Sequence, residues 1–190
     1  ALSPERLPHS PETGTQIPSL FKHCFGCGVL HPTGLHLVAH VGEGADITAE
    51  FIVTENHQGA PGLAHGGLLS LAFDEALGKL MWLLRAPAVT ARLETDFLKP
   101  VPIGTRLYIT ARITGQVNRK VYSEAEGRIG GPDGEIAVRA ASLFVIVPMK
   151  HFLESAPAEY LAALRKKRPQ LIVVGDYNIA HEEIDIHDPK

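Results

Sequence analysis

The sequence predicts an α+β domain in which one long helix packs against an antiparallel sheet, and three observations carry that expectation. The first is a stretch at residues 65–84 that is apolar on nearly every side and is closed by Arg85-Ala86-Pro87, where proline cannot continue a helix. The second is a set of four strand-like runs after it, at residues 89–98, 106–114, 120–128 and 135–147. The third is the shortness of the links joining the last three runs. Gly115-Gln116 and Gly130-Gly131-Pro132-Asp133-Gly134 are turn sequences, and short connections imply antiparallel neighbours.

Taken in order, residues 1–19 read as an extended N-terminal arm, with Pro4, Pro8, Pro11 and Pro18 and few apolar anchors. A tight turn follows at Cys24-Phe25-Gly26-Cys27-Gly28. Residues 35–41 and 47–53 then read as two strands, with Gly42-Glu43-Gly44 suited to a hairpin between them. Residues 56–62 form a Gly- and Pro-containing loop that delivers the chain to a helix of about five turns starting near Gly66. The main domain is expected over residues 20–148, followed by a C-terminal extension over 149–190. In that extension residues 157–168 read as a short amphipathic helix through Tyr160, Leu161 and Leu164, ending in the basic run Arg165-Lys166-Lys167-Arg168. Leu171-Ile172-Val173-Val174 reads as a further strand or a packing segment, and Glu182, Glu183, Asp185 and Asp188 make an acidic tail.

At 190 residues the chain has room for one substantial core, and 45% hydrophobic with 21% charged residues is ordinary for a globular protein. A net charge of -3 gives no general attraction to nucleic acid. No apolar run reaches the ~20 residues that span a bilayer, so no membrane partner is expected. The first residues lack the apolar centre of a signal peptide, and the expected location is cytoplasmic. Cys24 and Cys27 form a C-x-x-C with His23 and His31 nearby. Zinc takes four Cys or His ligands, but no second C-x-x-C or H-x-x-x-H accompanies this one. The βαβ pattern of a thioredoxin-like redox pair is missing too. The expected reading is therefore a tight turn holding small buried thiols, with no metal.

The chemistry points to Asp74 and Glu75, two carboxylates inside the apolar helix. An ionised carboxylate in such a place must be hydrogen-bonded, paired or protonated, and residues of that kind are functional-site candidates. Glu75 stands four residues before Lys79, the spacing of an ion pair on a helix surface. Gly66 and Gly67, just after His65, open the helix and expose backbone N–H groups at its positive end. A buried base and an oxyanion-friendly helix start within three turns suggest acyl chemistry.

Four ordered motifs resemble one family. Cys24-Phe25-Gly26-Cys27-Gly28 with Pro32, Gly34 and Leu35 resembles the opening turn of many bacterial members. His57-Gln58-Gly59, Pro61-Gly62 and His65-Gly66-Gly67 resemble the loop entering the helix. Asp74 lies at the family's spacing after His65, and residues 90–100, with Phe97 and Pro100, resemble the strand that follows. Over roughly residues 24–147 the chain is similar to the PaaI-like acyl-CoA thioesterases of the hotdog fold. That fold is a curled antiparallel β-sheet wrapped around one long central helix.

The resemblance implies that the chain hydrolyses an acyl-CoA, or a carrier-bound acyl thioester, to free acid and thiol. Asp74 would be the general base or the nucleophile, and the Gly66 N–H would stabilise the oxyanion. His65 would help shape the site, and Thr90 would orient the attacking water. His57 and Gln58 are further catalytic candidates on the entering loop. Related enzymes often carry Asn six residues before the HGG histidine, where this chain has Gly59 with Gln58 adjacent. Gly67, Glu75, Arg92, Lys99, Arg119 and Lys120 are the candidates for substrate binding, the four cations for the phosphates of coenzyme A. Leu69, Phe73, Leu77 and Trp82 would line an acyl pocket. The resemblance also implies a homodimer or homotetramer, with Asp74 and Thr90 of one subunit facing His65 and Gly66 of the other. Coenzyme A enters as part of the substrate, and no separate cofactor is expected. Two rival readings remain: a hotdog dehydratase or hydratase pairing His57 with Asp74, and a non-catalytic acyl-CoA-binding module.

Overall fold

The structure, a computed structural model, describes residues 6–7, 9–19 and 21–154. The short helix expected over 157–168, its basic run, the segment 171–174 and the acidic tail lie outside the described residues. The chain divides after Ile146 into two compact units. The second contributes the short helix α2 (Met149–Glu154).

Among the described residues, the first unit holds nine strands and the long helix in the order β1 (Gln16–Ile17), β2 (Val38–Val41), β3 (Asp46–Ile52), β4 (Gln58–Ala60), β5 (Leu63–Ala64), α1 (Gly66–Lys79), β6 (Ala88–Phe97), β7 (Arg106–Val117), β8 (Lys120–Ile129) and β9 (Ile136–Ile146). Seven strands form one antiparallel sheet in the order β1-β2-β3-β7-β8-β9-β6, while β4 and β5 make a small separate hairpin. The three sequential hairpin strands are neighbours, as their short turns require. β6 comes first of the late strands in sequence yet lies at the outer edge, paired with β9. Alternation sets the faces. On β7, Leu107, Ile109, Ala111 and Ile113 are buried, while Arg106, Thr110, Arg112 and Thr114 are exposed. β1 falls within the segment expected as an arm. It pairs with β2 through Gln16 opposite His40 and Ile17 opposite Ala39, and the Ile17 side chain is buried.

α1 packs on the buried face of the sheet through Leu69, Ala72, Phe73, Ala76 and Leu77. It is shorter than the five turns expected. The α-helix ends at Lys79, a single 3-10 turn continues over Leu80–Trp82, and Arg85 takes a positive φ of 48° before the proline. The helix is also not sheathed on every side. Gly67, Ser70, Leu71, Asp74, Gly78 and Trp82 recur at intervals of three and four residues, and all are less than fully buried. They form one half-open stripe along the helix, at whose margins Leu71 and Trp82 still pack against the core. Phe73 at the centre fits against Gly127 of β8, where an added Cβ would stand 2.7 Å from the ring. Gly127→Ala should therefore overpack the core and cost about 1–3 kcal/mol in chemical denaturation.

Candidate active site

The start of α1 is built by a capping histidine. His65 Nδ1 accepts a hydrogen bond from the Gly67 N–H at 2.9 Å, and its carbonyl accepts from Leu68 and Leu69. None of the described hydrogen bonds uses the Gly66 N–H. The free donor at the positive end of the helix is thus Gly66, while the Gly67 donor is held by its neighbour's ring. Beside it opens a cleft of about 450 Å³ lined by Gly59, His65, Gly66, Leu69, Phe97 and Lys99, among others. Gly59 has a steric reason. A Cβ there would stand 2.6 Å from His65 Cα, so the loop reaches the helix only with glycine at this position. That accounts for the missing asparagine, whose side chain this path excludes.

One helical face further on, Thr90 of β6 donates its hydroxyl to Asp74 Oδ1 at 2.8 Å. Asp74 is half-buried on the open stripe of α1, and Thr90 is exposed. The strand is irregular at this point: Thr90 pairs with Phe144 and Arg92 with Leu143, so Ala91 is an extra residue without a partner of its own. Such a bulge re-aims the side chain beside it. The structure therefore brings two of the expected residues, Asp74 and Thr90, into direct contact.

The remaining candidates separate from this pair. His57 is 2% exposed, and both ring nitrogens are engaged: Nδ1 accepts from the Thr54 N–H at 3.0 Å, and Nε2 lies 3.3 Å from the Gly34 carbonyl. It is a strut between the loop and the opening turn, because an imidazole buried there needs partners at both ends. The Gln58 side chain accepts at Oε1 from the Gly62 N–H at 2.9 Å, closing the β4–β5 hairpin. Lys99 reaches the cleft and also pairs with Glu135 at 2.6 Å, whereas Arg92 pairs with Glu94 on the exposed edge. Arg119 and Lys120 stand at the β7–β8 turn near the Thr90 end of β6, opposite the end that carries Lys99. Of the four residues expected to line an acyl pocket, Leu69 reaches the cleft. Phe73 and Leu77 are fully buried in the core.

Glu75 points away from Asp74 into a second cluster. Its Oε1 lies 3.1 Å from Lys79 Nζ, and its Oε2 accepts from the Cys24 thiol at 3.4 Å. Lys79 also donates to Cys27 Sγ at 3.3 Å, and Cys27 donates to Ser19 Oγ at 3.2 Å. Burial, then the bond to Glu75, pushes the Cys27 thiol up to about 11. Burial opposes ionisation of Glu75 and Lys79, but their mutual attraction and the bonds to the cysteines prevail. The carboxyl is held below its ordinary value and the ammonium above its own. Cys24, Cys27 and Glu75 are also the described residues whose ligand atoms lie close enough to hold a metal. Glu75, a substrate-binding candidate from sequence, instead joins this cluster. Its tie to Lys79 was legible in the spacing, but its tie to the cysteines was not.

No helix among the described residues is long and apolar enough to cross a membrane. The thioesterase superfamily profile matches residues 61–135, which include Gly66, Asp74, Thr90 and most of the residues lining the cleft. Acyl-coenzyme A thioesterase THEM4 of Xenopus laevis is 28% identical over 88 residues, covering 46% of this chain and 39% of that protein. The chain thus spans well under half the length of that curated relative. A thioesterase superfamily protein of known crystal structure is 26% identical with a TM-score of 0.59, over 65% of this chain and 60% of its own. The PaaI protein of E. coli, from its phenylacetic acid degradation operon, is 18% identical with a TM-score of 0.55, over 60% and 81% of the two chains. Over residues 61–135 the chain is therefore similar to the thioesterase superfamily, and it shares the hotdog fold of PaaI.

Proposed function

We propose that this protein is an acyl-CoA thioesterase, hydrolysing the thioester to a carboxylic acid and free coenzyme A. The observation that carries the reading is the 2.8 Å bond from Thr90 to Asp74 on the open stripe of α1. It holds one carboxylate oxygen and leaves the other free to act. In the general-base form, Oδ2 takes a proton from a water that attacks the thioester carbon. In the covalent form, the same oxygen attacks, and water then opens the anhydride. Either way the carbonyl oxygen becomes negative, and the Gly66 N–H is the donor suited to receive it. Collapse of the tetrahedral adduct breaks the C–S bond, and the departing thiolate takes up a proton.

A single chain does not complete this arrangement. Gly66 and Asp74 are eight residues apart on α1, roughly 12 Å along its axis, too far to serve one carbonyl and one water. The reading therefore includes a homo-oligomer, with the open stripe and the edge strand β6 meeting their counterparts on a second chain. Head-to-tail pairing would bring Lys99 and Gly66 of one copy toward Thr90, Arg119 and Lys120 of the other, assembling cations for the phosphates of coenzyme A. The curl of the sheet about α1 and a cytoplasmic location also belong to this reading.

The burial of His57 speaks against a dehydratase that would pair it with Asp74. The test is a panel of short, long and aromatic acyl-CoA substrates with colorimetric detection of released thiol. Turnover above the uncatalysed rate is expected for at least one. Binding without thiol release would favour the non-catalytic module, and loss of enoyl-CoA absorbance would favour the hydratase.

A further inference from the structure

Behind α1, on the side away from Asp74, the C-x-x-C turn and Glu75 have no part in the chemistry above. We propose that Cys24, Cys27 and Glu75 form a binding site for a thiophilic divalent cation of the zinc class, with a water molecule as the fourth ligand.

The two sulfurs and a Glu75 carboxylate oxygen all lie within 4.8 Å of one another. Zinc–sulfur bonds of about 2.3 Å and zinc–oxygen bonds of about 2.0–2.2 Å set tetrahedral edges of roughly 3.5–3.8 Å, so small side-chain rotations close the set. Two thiolates with one carboxylate select zinc over magnesium or calcium, which prefer all-oxygen shells. The backbone is shaped to the same end. The Gly28 N–H donates to the Cys24 carbonyl at 2.8 Å, and a Cβ on Gly28 would lie 2.5 Å from Cys24 backbone atoms. A Cβ on Gly26 would lie 2.5 Å from Glu75 Oε2. Glycine at both places lets the turn fold tightly and lets the carboxylate approach it.

Lys79 completes the arrangement as an outer partner. It contacts Glu75 through Oε1, leaving Oε2 turned to Cys24, and it donates to Cys27 Sγ. Two thiolates and a carboxylate exceed a divalent cation by one negative charge, and the ammonium neutralises that excess. The half-exposed Cys24 leaves a side for water. A bound cation supplies the charge that removes both thiol protons to solvent.

The test uses the full chain, reduced and stripped with a chelator, then titrated with cobalt(II) and with zinc(II). A thiolate-to-cobalt charge-transfer band is expected, abolished by equimolar zinc. Cys24→Ser should lose about half the band and weaken zinc at least ~10-fold, as loss of a ligand costs no less than loss of an outer partner. Zinc should raise the Tm of the wild type and leave the Cys24→Ser/Cys27→Ser variant unmoved. Absence of the band overturns the site, as does a zinc response that survives in the double variant. So does finding both thiols freely reactive in zinc-treated protein.

Discussion

Replacing Asp74 by asparagine should lower kcat by about 10²–10⁴-fold with little change in KM, the range expected when a base or nucleophile is removed. The substitution is nearly isosteric, and its amide oxygen still accepts the Thr90 hydroxyl now bonded to Oδ1. Folding should therefore be preserved, with unchanged circular dichroism and Tm. Thr90→Val serves as the comparison. It removes the donor that holds Oδ1 but keeps the carboxylate, so its loss should be smaller than that of the asparagine variant. Wild-type turnover in Asp74→Asn would remove the carboxylate from the mechanism. A collapse of Tm instead would make Asp74 structural.

Lys79→Met, measured on chelator-treated protein, should destabilise the fold by about 3 kcal/mol. That is the lower end for breaking a buried ion pair, since the Glu75 side chain keeps 19% exposure and some access to water. In a chain of this size the loss corresponds to a Tm fall of roughly 6–12 °C. Its pH dependence has a definite sign. Glu75 is held below its ordinary value in the folded state, so its contribution is complete at neutral pH and disappears as pH falls through that depressed value. The Lys79 contribution is complete below the ordinary lysine range and disappears only in strong alkali, because its value is raised. The gap between wild type and variant should stay flat around neutrality and close in acid. A gap that widens on acidification would mean that the ion pair is not its source.

Much of the sheet was legible because its signals are local. On β7 the alternation of Leu107, Ile109, Ala111 and Ile113 with polar residues marks a strand without reference to any partner. β1 was not legible as a strand, since Gln16 and Ile17 owe their conformation to pairing with His40 and Ala39, more than twenty positions away. The helix was found, but its open stripe was hidden. Leu71 and Gly78 look the same in sequence whether they face the chain's own core or another surface. In the candidate site, the motif spacing led to Asp74, Thr90 and Gly66, and the hydrogen bond between the first two is what the coordinates add. His57 read equally well as catalytic or ordinary. Its burial between Thr54 and Gly34 depends on a contact 23 positions away. The joining of Glu75 to Cys24 spans 51 positions, which no periodicity reveals.

The unpaired Ala91 also constrains how this gene can vary in length. Deleting one codon there would restore a regular ladder, but only by turning over Thr90 or the whole of residues 92–97, because side chains alternate along a strand. The first would part the hydroxyl from Asp74, and the second would send Phe97 away from the mouth of the cleft. A change of one residue in length along this edge thus displaces a whole run of side chains, where a point substitution alters only one.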